Sequence, residues 1–273
     1  MSKNKSILAD SAIPFGFPDL DIKTAGMNPG TLVVIAGRPS MGKTAFALNI
    51  VRNLAVDLAV ERKTPILFFS LEMNKELCVQ RMLCSEARVD SHRVRTGYME
   101  LSDWPSLTVA ASRLSEAPIF IDDTAGISIG ELCAKARRLK AKEGIKLIVI
   151  DYLQLMHGLD KPDSRHEEIS EISRSLKALA RDLQIPIIVT SQLSRSVESR
   201  EDHRPQLSDL RELGDIEQSA DVVLLLFREE YYGPTPENHG LAEIILAKNR
   251  GGPVGSLRLT FQRDYTRFEE YKR

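Results

Sequence analysis

The chain has 273 residues, 42% hydrophobic and 27% charged, enough for one large α/β domain or two small ones. Its 37 Lys and Arg against 38 Asp and Glu give a net charge of −1, so a net-basic surface cannot drive nucleic-acid binding. No apolar run is long enough to span a membrane, Met1–Ser11 holds no signal core, and Cys78, Cys84 and Cys133 fit neither a zinc site nor a disulfide framework, which reads as a cytoplasmic protein with small core cysteines.

Residues 1–13 are polar and mixed and read as a tail or linker remnant; residues 14–273 read as one domain. Thr31–Ala36 is a continuous apolar run, a strand buried on both faces, and Lys43–Val60 after it predicts a buried helix. Ile66–Ser70, Ile119–Ile121, Leu147–Ile150, Ile187–Thr190 and Val222–Phe227 are further strands of the same kind. Tyr98 and Trp104 are expected to pack within a helical stretch. Ser128 caps a predicted helix through Lys142, with Glu131 and Lys135 as an i,i+4 pair.

In Arg165–Gln184, Ile169, Ile172, Leu176, Leu179, Ala180 and Leu183 form one helical stripe, which Pro186 ends. Arg195, Arg200 and Arg204 read as solvated charges laced with Glu198, Glu201 and Asp202, and the five histidines read as surface residues without metal-ligand spacing. Leu241–Lys248 and Val254–Phe261, joined by Asn249-Arg250-Gly251-Gly252-Pro253, predict an antiparallel hairpin with one solvated face. The fold class is therefore α/β: a mostly parallel central sheet flanked by helices, ending in an antiparallel hairpin.

Gly37-Arg38-Pro39-Ser40-Met41-Gly42-Lys43-Thr44 is a complete G-x-x-x-x-G-K-T between a predicted strand and a predicted helix. Gly37 and Gly42 let backbone N–H groups converge on phosphate oxygens, and the helix N-terminus adds its dipole. Lys43 supplies charge to the β- and γ-phosphates of ATP, and the Thr44 hydroxyl can take one Mg²⁺ position. Asp151 ends a buried strand at the carboxyl edge, where it would hold Mg²⁺ directly or through water. Glu72, at the same edge, either activates water or is an acid favoured by a helix start. Gln192 either senses the γ-phosphate or is a polar strand end. By themselves Lys248 and Arg250 read as solvated charges on a turn.

Taken together, GRPSMGKT, FFSLEM, LIVIDYLQLM, TSQLSR, DLRELGDIEQSADVVLLLFR and AKNRGGPVG resemble the DnaB-type replicative helicases, in that family's order, from about Ile13 to Phe268. The resemblance implies a RecA-like P-loop NTPase motor, a homohexamer around single-stranded DNA, with primase and a helicase loader as partners. It implies Glu72 as catalytic base, Gln192 as sensor, and Lys248 and Arg250 as a basic pair reaching in trans to the neighbour's γ-phosphate. It also implies DNA contacts at Arg211, Glu212 and Gly214. Members usually carry a separate N-terminal domain and a linker helix; this sequence starts about 12 residues before the motor segment, as in an excised domain or a short relative. The other reading is a RecA- or KaiC-like ATPase that assembles on DNA without unwinding it.

Overall fold

The computed structural model describes residues 11–56, 64–158, 164–213 and 215–271, apart from the side chains of residues 211–213. In chain order the elements are α1 (Pro18–Thr24), β1 (Leu32–Gly37), α2 (Lys43–Ala55), β2 (Ile66–Ser70), α3 (Lys75–Ala87), α4 (Ser91–Thr96) and α5 (Asp103–Ser115). Then follow β3 (Ile119–Asp122), α6 (Ile129–Glu143), β4 (Leu147–Asp151), α7 (Arg165–Leu183), β5 (Ile187–Gln192), α8 (Ile216–Ser219), β6 (Val222–Phe227), β7 (Leu241–Asn249), β8 (Gly255–Gln262) and β9 (Arg267–Glu270).

Among the described residues the strands form one sheet, in the order β3-β2-β4-β5-β1-β6-β7-β8-β9. The pairs from β3 to β6 are parallel, and those from β6 to β9 antiparallel. The inner parallel strands β1, β2, β4, β5 and β6 are apolar until their carboxyl ends because both faces are covered, while the edge strand β3 is half-buried along its length. Val33 and Ile35 of β1 face a core with Phe46, Ile50 and Leu54 of α2. Leu32, Val34 and Ala36 face a second core with Leu132 of α6 and Ile172 and Leu176 of α7. The predicted α7 stripe is buried at Ile169, Ile172, Leu176, Leu179 and Ala180, as its spacing demands.

Helix ends follow local chemistry. Ser128 Oγ accepts from Glu131 N–H at 3.2 Å to cap α6, and Lys135 Nζ meets Glu131 at 3.2 Å. α7 stops one residue short of the prediction, because Gln184 takes the left-handed conformation at φ 52°. Helix α2 is described to Ala55; the remainder predicted to Val60 falls largely outside the described residues.

Three features differ from expectation. The terminal hairpin is extended by β9, whose Phe268 pairs with Phe261 of β8. Tyr98 and Trp104 do not pack inside: their exposures are 81% and 53%. His203 is half-buried, its ring stacked on Tyr232 with centroids 4.2 Å apart. No helix among the described residues is long and apolar enough to cross a membrane.

Candidate active site

The P-loop runs from the end of β1 into α2. Gly42 at φ 97° takes a conformation that favours glycine, and its missing side chain admits the Phe268 ring, 3.0 Å from where a Cβ would lie. Gly37 serves differently from the curled backbone expected of it: its φ is ordinary, but a Cβ would lie 3.2 Å from the Leu226 carbonyl on β6. Its smallness therefore lets β1 and β6 approach. Met41 is buried in the core, while Pro39, Ser40, Gly42, Lys43 and Thr44 line a cleft of about 1230 Å³.

Glu72, Asp151 and Gln192 line the same cleft. They converge because the carboxyl ends of β2, β4 and β5 lie beside the end of β1 in the parallel sheet, with Ser70 opposite Asp151 and Gly37 opposite Gln192. Leu71 N–H donates to the Asp151 carbonyl at 2.7 Å, which fixes the turn carrying Glu72 against β4. The Glu72 carboxylate is exposed into the cleft.

Lys43 Nζ donates to the Arg38 carbonyl at 3.1 Å. Burial pulls the ammonium down to about 8, with Asp151 and Glu72 opposing that fall. Asp151, only 1% exposed, is held by two hydroxyls: Thr44 Oγ1 donates to one carboxylate oxygen at 2.7 Å, and Thr190 Oγ1 donates to the other. A hydroxyl facing a buried carboxylate at a phosphate loop is a hard-oxygen donor set that fits Mg²⁺. Among the described residues no group of three His, Cys, Asp or Glu could hold a metal, so phosphate and water oxygens would have to complete the shell.

The basic pair lies elsewhere. Val222 and Val223 at the start of β6 pair with Asn249 and Lys248, and Val33 of β1 pairs with Val222. Lys248 and Arg250 therefore sit at the amino end of the parallel strands, opposite the edge that holds the P-loop. Lys248 Nζ donates to the Glu217 carbonyl at 2.6 Å; Arg250 donates to the Gln218 carbonyl at 2.7 Å and meets Asp221 at 3.3 Å. Arg211 and Glu212 belong to a 3-10 helix at Leu207–Leu213, but their side chains, like Gly214, lie outside the described residues.

Several contacts had no sequence signal. Gln154, just past Asp151, clamps the main chain at Gln192: its Nε2 donates to Ser191 Oγ at 3.0 Å and to the Gln192 carbonyl at 3.2 Å. The Arg38 side chain turns from the cleft to Leu193 and Glu198. The Arg200 and Arg204 guanidiniums find their ion pairs beyond the expected acids, with Asp209 and with Glu243 of β7, while the Arg204 N–H donates to Asp202 at 3.0 Å. Only Thr190 was within reach of sequence reasoning, as a hydroxyl near the end of a strand neighbouring Asp151.

A parallel sheet with a complete phosphate loop, and a hydroxyl and carboxylate pair at its carboxyl edge, defines a RecA-like P-loop ATPase domain. Residues 12–270 match the family described as DnaB-like helicase C terminal domain, and the chain belongs to that family. It is 49% identical over 264 residues to the replicative DNA helicase DnaC of Bacillus subtilis, covering 96% of this chain and 57% of that protein. Against the replicative DNA helicase DnaB of Pasteurella multocida the identity is 44% over 272 residues, covering 98% and 57%. The chain thus spans little more than half the length of these curated relatives. A DnaB-like replicative helicase, solved in a study of its interactions with primase, superposes with a TM-score of 0.90 at 40% identity, covering 95% of this chain and 62% of its own. A second solved structure, of an ATPase domain alone, gives the same TM-score and identity over 97% of this chain and 94% of its own.

Proposed function

We propose that residues 14–273 act as a single ATP-dependent DNA helicase motor, hydrolysing ATP at the subunit interfaces of a homohexameric ring that translocates on single-stranded DNA and separates duplex. One observation carries this reading. The phosphate loop with Asp151 and Glu72 occupies one edge of the sheet, and Lys248 and Arg250 occupy the other. From Val33 to Gly37 the strand alone spans roughly 13 Å, so the basic pair cannot serve its own P-loop. It is presented to a neighbour's nucleotide, as a ring requires.

Within that reading Lys43 binds the β- and γ-phosphates, and the P-loop amides and the dipole of α2 cradle their oxygens. Thr44 and Asp151 would hold Mg²⁺, which when bound neutralises charge on those phosphates. Glu72 accepts a proton from the attacking water. Gln192, its main chain clamped by Gln154, reads the γ-phosphate and passes its loss to the segment that follows. Arg250, with Lys248 beside it, stabilises the charge that develops in the neighbour's site. Arg211, Glu212 and Gly214 contact the DNA backbone without reading sequence. The relative studied with primase supports primase as a partner; a loader and a cytoplasmic location follow from the same family reading.

The test is strand displacement on a forked duplex, at protein concentrations where the ring assembles. The motor reading predicts ATP-dependent separation. ATP hydrolysis with the duplex left intact would favour an ATPase that assembles on DNA without unwinding it.

A further inference from the structure

The Arg38 side chain leaves the phosphate loop for a different segment of the chain. Its main-chain carbonyl accepts from Lys43 Nζ, the ammonium that phosphate will claim. Its guanidinium crosses to the segment after β5, where Nη1 donates to the Leu193 carbonyl and Nε donates to Glu198 Oε1, both at 2.8 Å. Leu193 N–H in turn donates to the Gly37 carbonyl at 3.3 Å. The first residues beyond Gln192 therefore hang from the phosphate loop at three points.

Glu198 has a second partner on the same oxygen: Tyr232 Oη donates to it at 3.2 Å. The Arg38 hydrogen bond, foremost, and the Tyr232 hydroxyl hold this carboxyl below the usual range. The Tyr232 ring stacks on His203 and lies near Phe227 at the end of β6. Further along, Arg204 makes a two-point pair with Glu243 of β7, both contacts at 2.5 Å. The segment 193–204 is thus tied at its near end to the nucleotide loop and at its far end to the strand that leads to Lys248 and Arg250.

We propose that Glu198 is a positioning residue that couples the phosphate site to the segment 193–204 through Arg38. Arg38 brings two of the elements together: its peptide adjoins the phosphate-binding lysine and its side chain grips the segment. A change in where Lys43 donates shifts the Arg38 peptide, and the guanidinium carries that shift to Leu193 and Glu198. Glu198 and Tyr232 form the anchor against which the shift acts. Without the Glu198 carboxylate the two ties at Leu193 remain, and the part of the segment beyond Leu193 is no longer held to the phosphate loop. This coupling rests on the motor reading, in which the segment beyond Gln192 receives the loss of the γ-phosphate and leads on to the DNA-contacting stretch at Arg211, Glu212 and Gly214.

The experiment compares wild type with Glu198→Ala, Glu198→Gln and Tyr232→Phe. Three quantities are read: binding of a fluorescent ADP, ATP turnover without DNA, and the stimulation of turnover by oligo-dT. Glu198 is 41% exposed on its side chain, so Glu198→Ala is expected to fold and to bind ADP within about twofold of wild type. Its turnover without DNA is expected to persist, while stimulation by oligo-dT falls about five- to tenfold. Glu198→Gln, which keeps a neutral acceptor for Arg38, is expected to recover part of the stimulation, and Tyr232→Phe to lie between. Full stimulation in Glu198→Ala would overturn the coupling and leave the motor reading standing. A wild type that oligo-dT does not stimulate would overturn the motor reading, and the coupling with it.

Discussion

Lys43 is an ammonium kept where its charge is disfavoured until phosphate arrives. Burial holds it near 8, against 10.5 for an ordinary lysine. An adjacent phosphate restores a high pKa, so the bound form carries the proton. Below pH 8 the free site is already protonated and binding takes up none. Above pH 8 binding must take up a proton, and nucleotide affinity is expected to fall by up to about tenfold per pH unit. Calorimetric titrations with ADP in two buffers of different ionisation enthalpy, at pH 7 and pH 9, check this. Proton uptake at pH 9 alone is expected; affinity independent of pH would contradict the burial of this amine. Glu72 lies in the same cleft, and the proposed function gives it a distinct task. Glu72→Gln is expected to leave nucleotide binding nearly unchanged and to slow turnover by about 10²–10⁴-fold, as single-turnover hydrolysis would show. Tighter binding of Mg²⁺ to wild type than to Glu72→Gln would instead make Glu72 a metal ligand.

At the scale of elements, the phosphate loop has a backing that its motif does not contain. Phe268 on β9 lies against Gly42, packs edge-on to Phe46 of α2 with centroids 5.2 Å apart, and pairs in register with Phe261. Phe268→Ala is expected to cost about 3–5 kcal/mol in chemical denaturation, and to weaken nucleotide binding because the loop loses one wall. Unchanged stability would show that β9 is not part of the folded core. The sequence could not announce β9, because Arg267-Phe268-Glu269-Glu270 carries one apolar residue and its place depends on the register of β8. The strands β1, β2, β4, β5 and β6 were legible for the opposite reason: burial on both faces leaves an unbroken apolar run, and the short run Ile119–Ile121 marked β3 although that strand is only half-buried. Asp151 and Lys43 were legible because their chemistry depends on position at a strand or helix end. The Gln154 clamp and the Arg38–Glu198 pair were not. Each depends on which strands are neighbours, and the last joins residues 160 positions apart. Tyr98 and Trp104 misled for a related reason: residue type does not say whether another element covers a ring.

At the scale of the whole molecule, the sheet works as a spacer with different chemistry at its two edges. The parallel strands end in the phosphate loop, Glu72, Asp151 and Gln192. The antiparallel extension turns back and delivers Lys248 and Arg250 to the far edge, where the carbonyls of Glu217 and Gln218 hold them beside Asp221. In the proposed motor one chain therefore carries two halves of a site that cannot meet within it. The most direct measurement mixes two variants expected to be inactive alone, Glu72→Ala and Arg250→Ala, and follows ATP turnover as their ratio changes. A chain with Glu72 intact can then face a neighbour with Arg250 intact, so turnover is expected to rise to a maximum near equal amounts. If every mixture stays as inactive as its parents, although the two variants are found in the same rings, the pocket is not completed by the adjoining subunit.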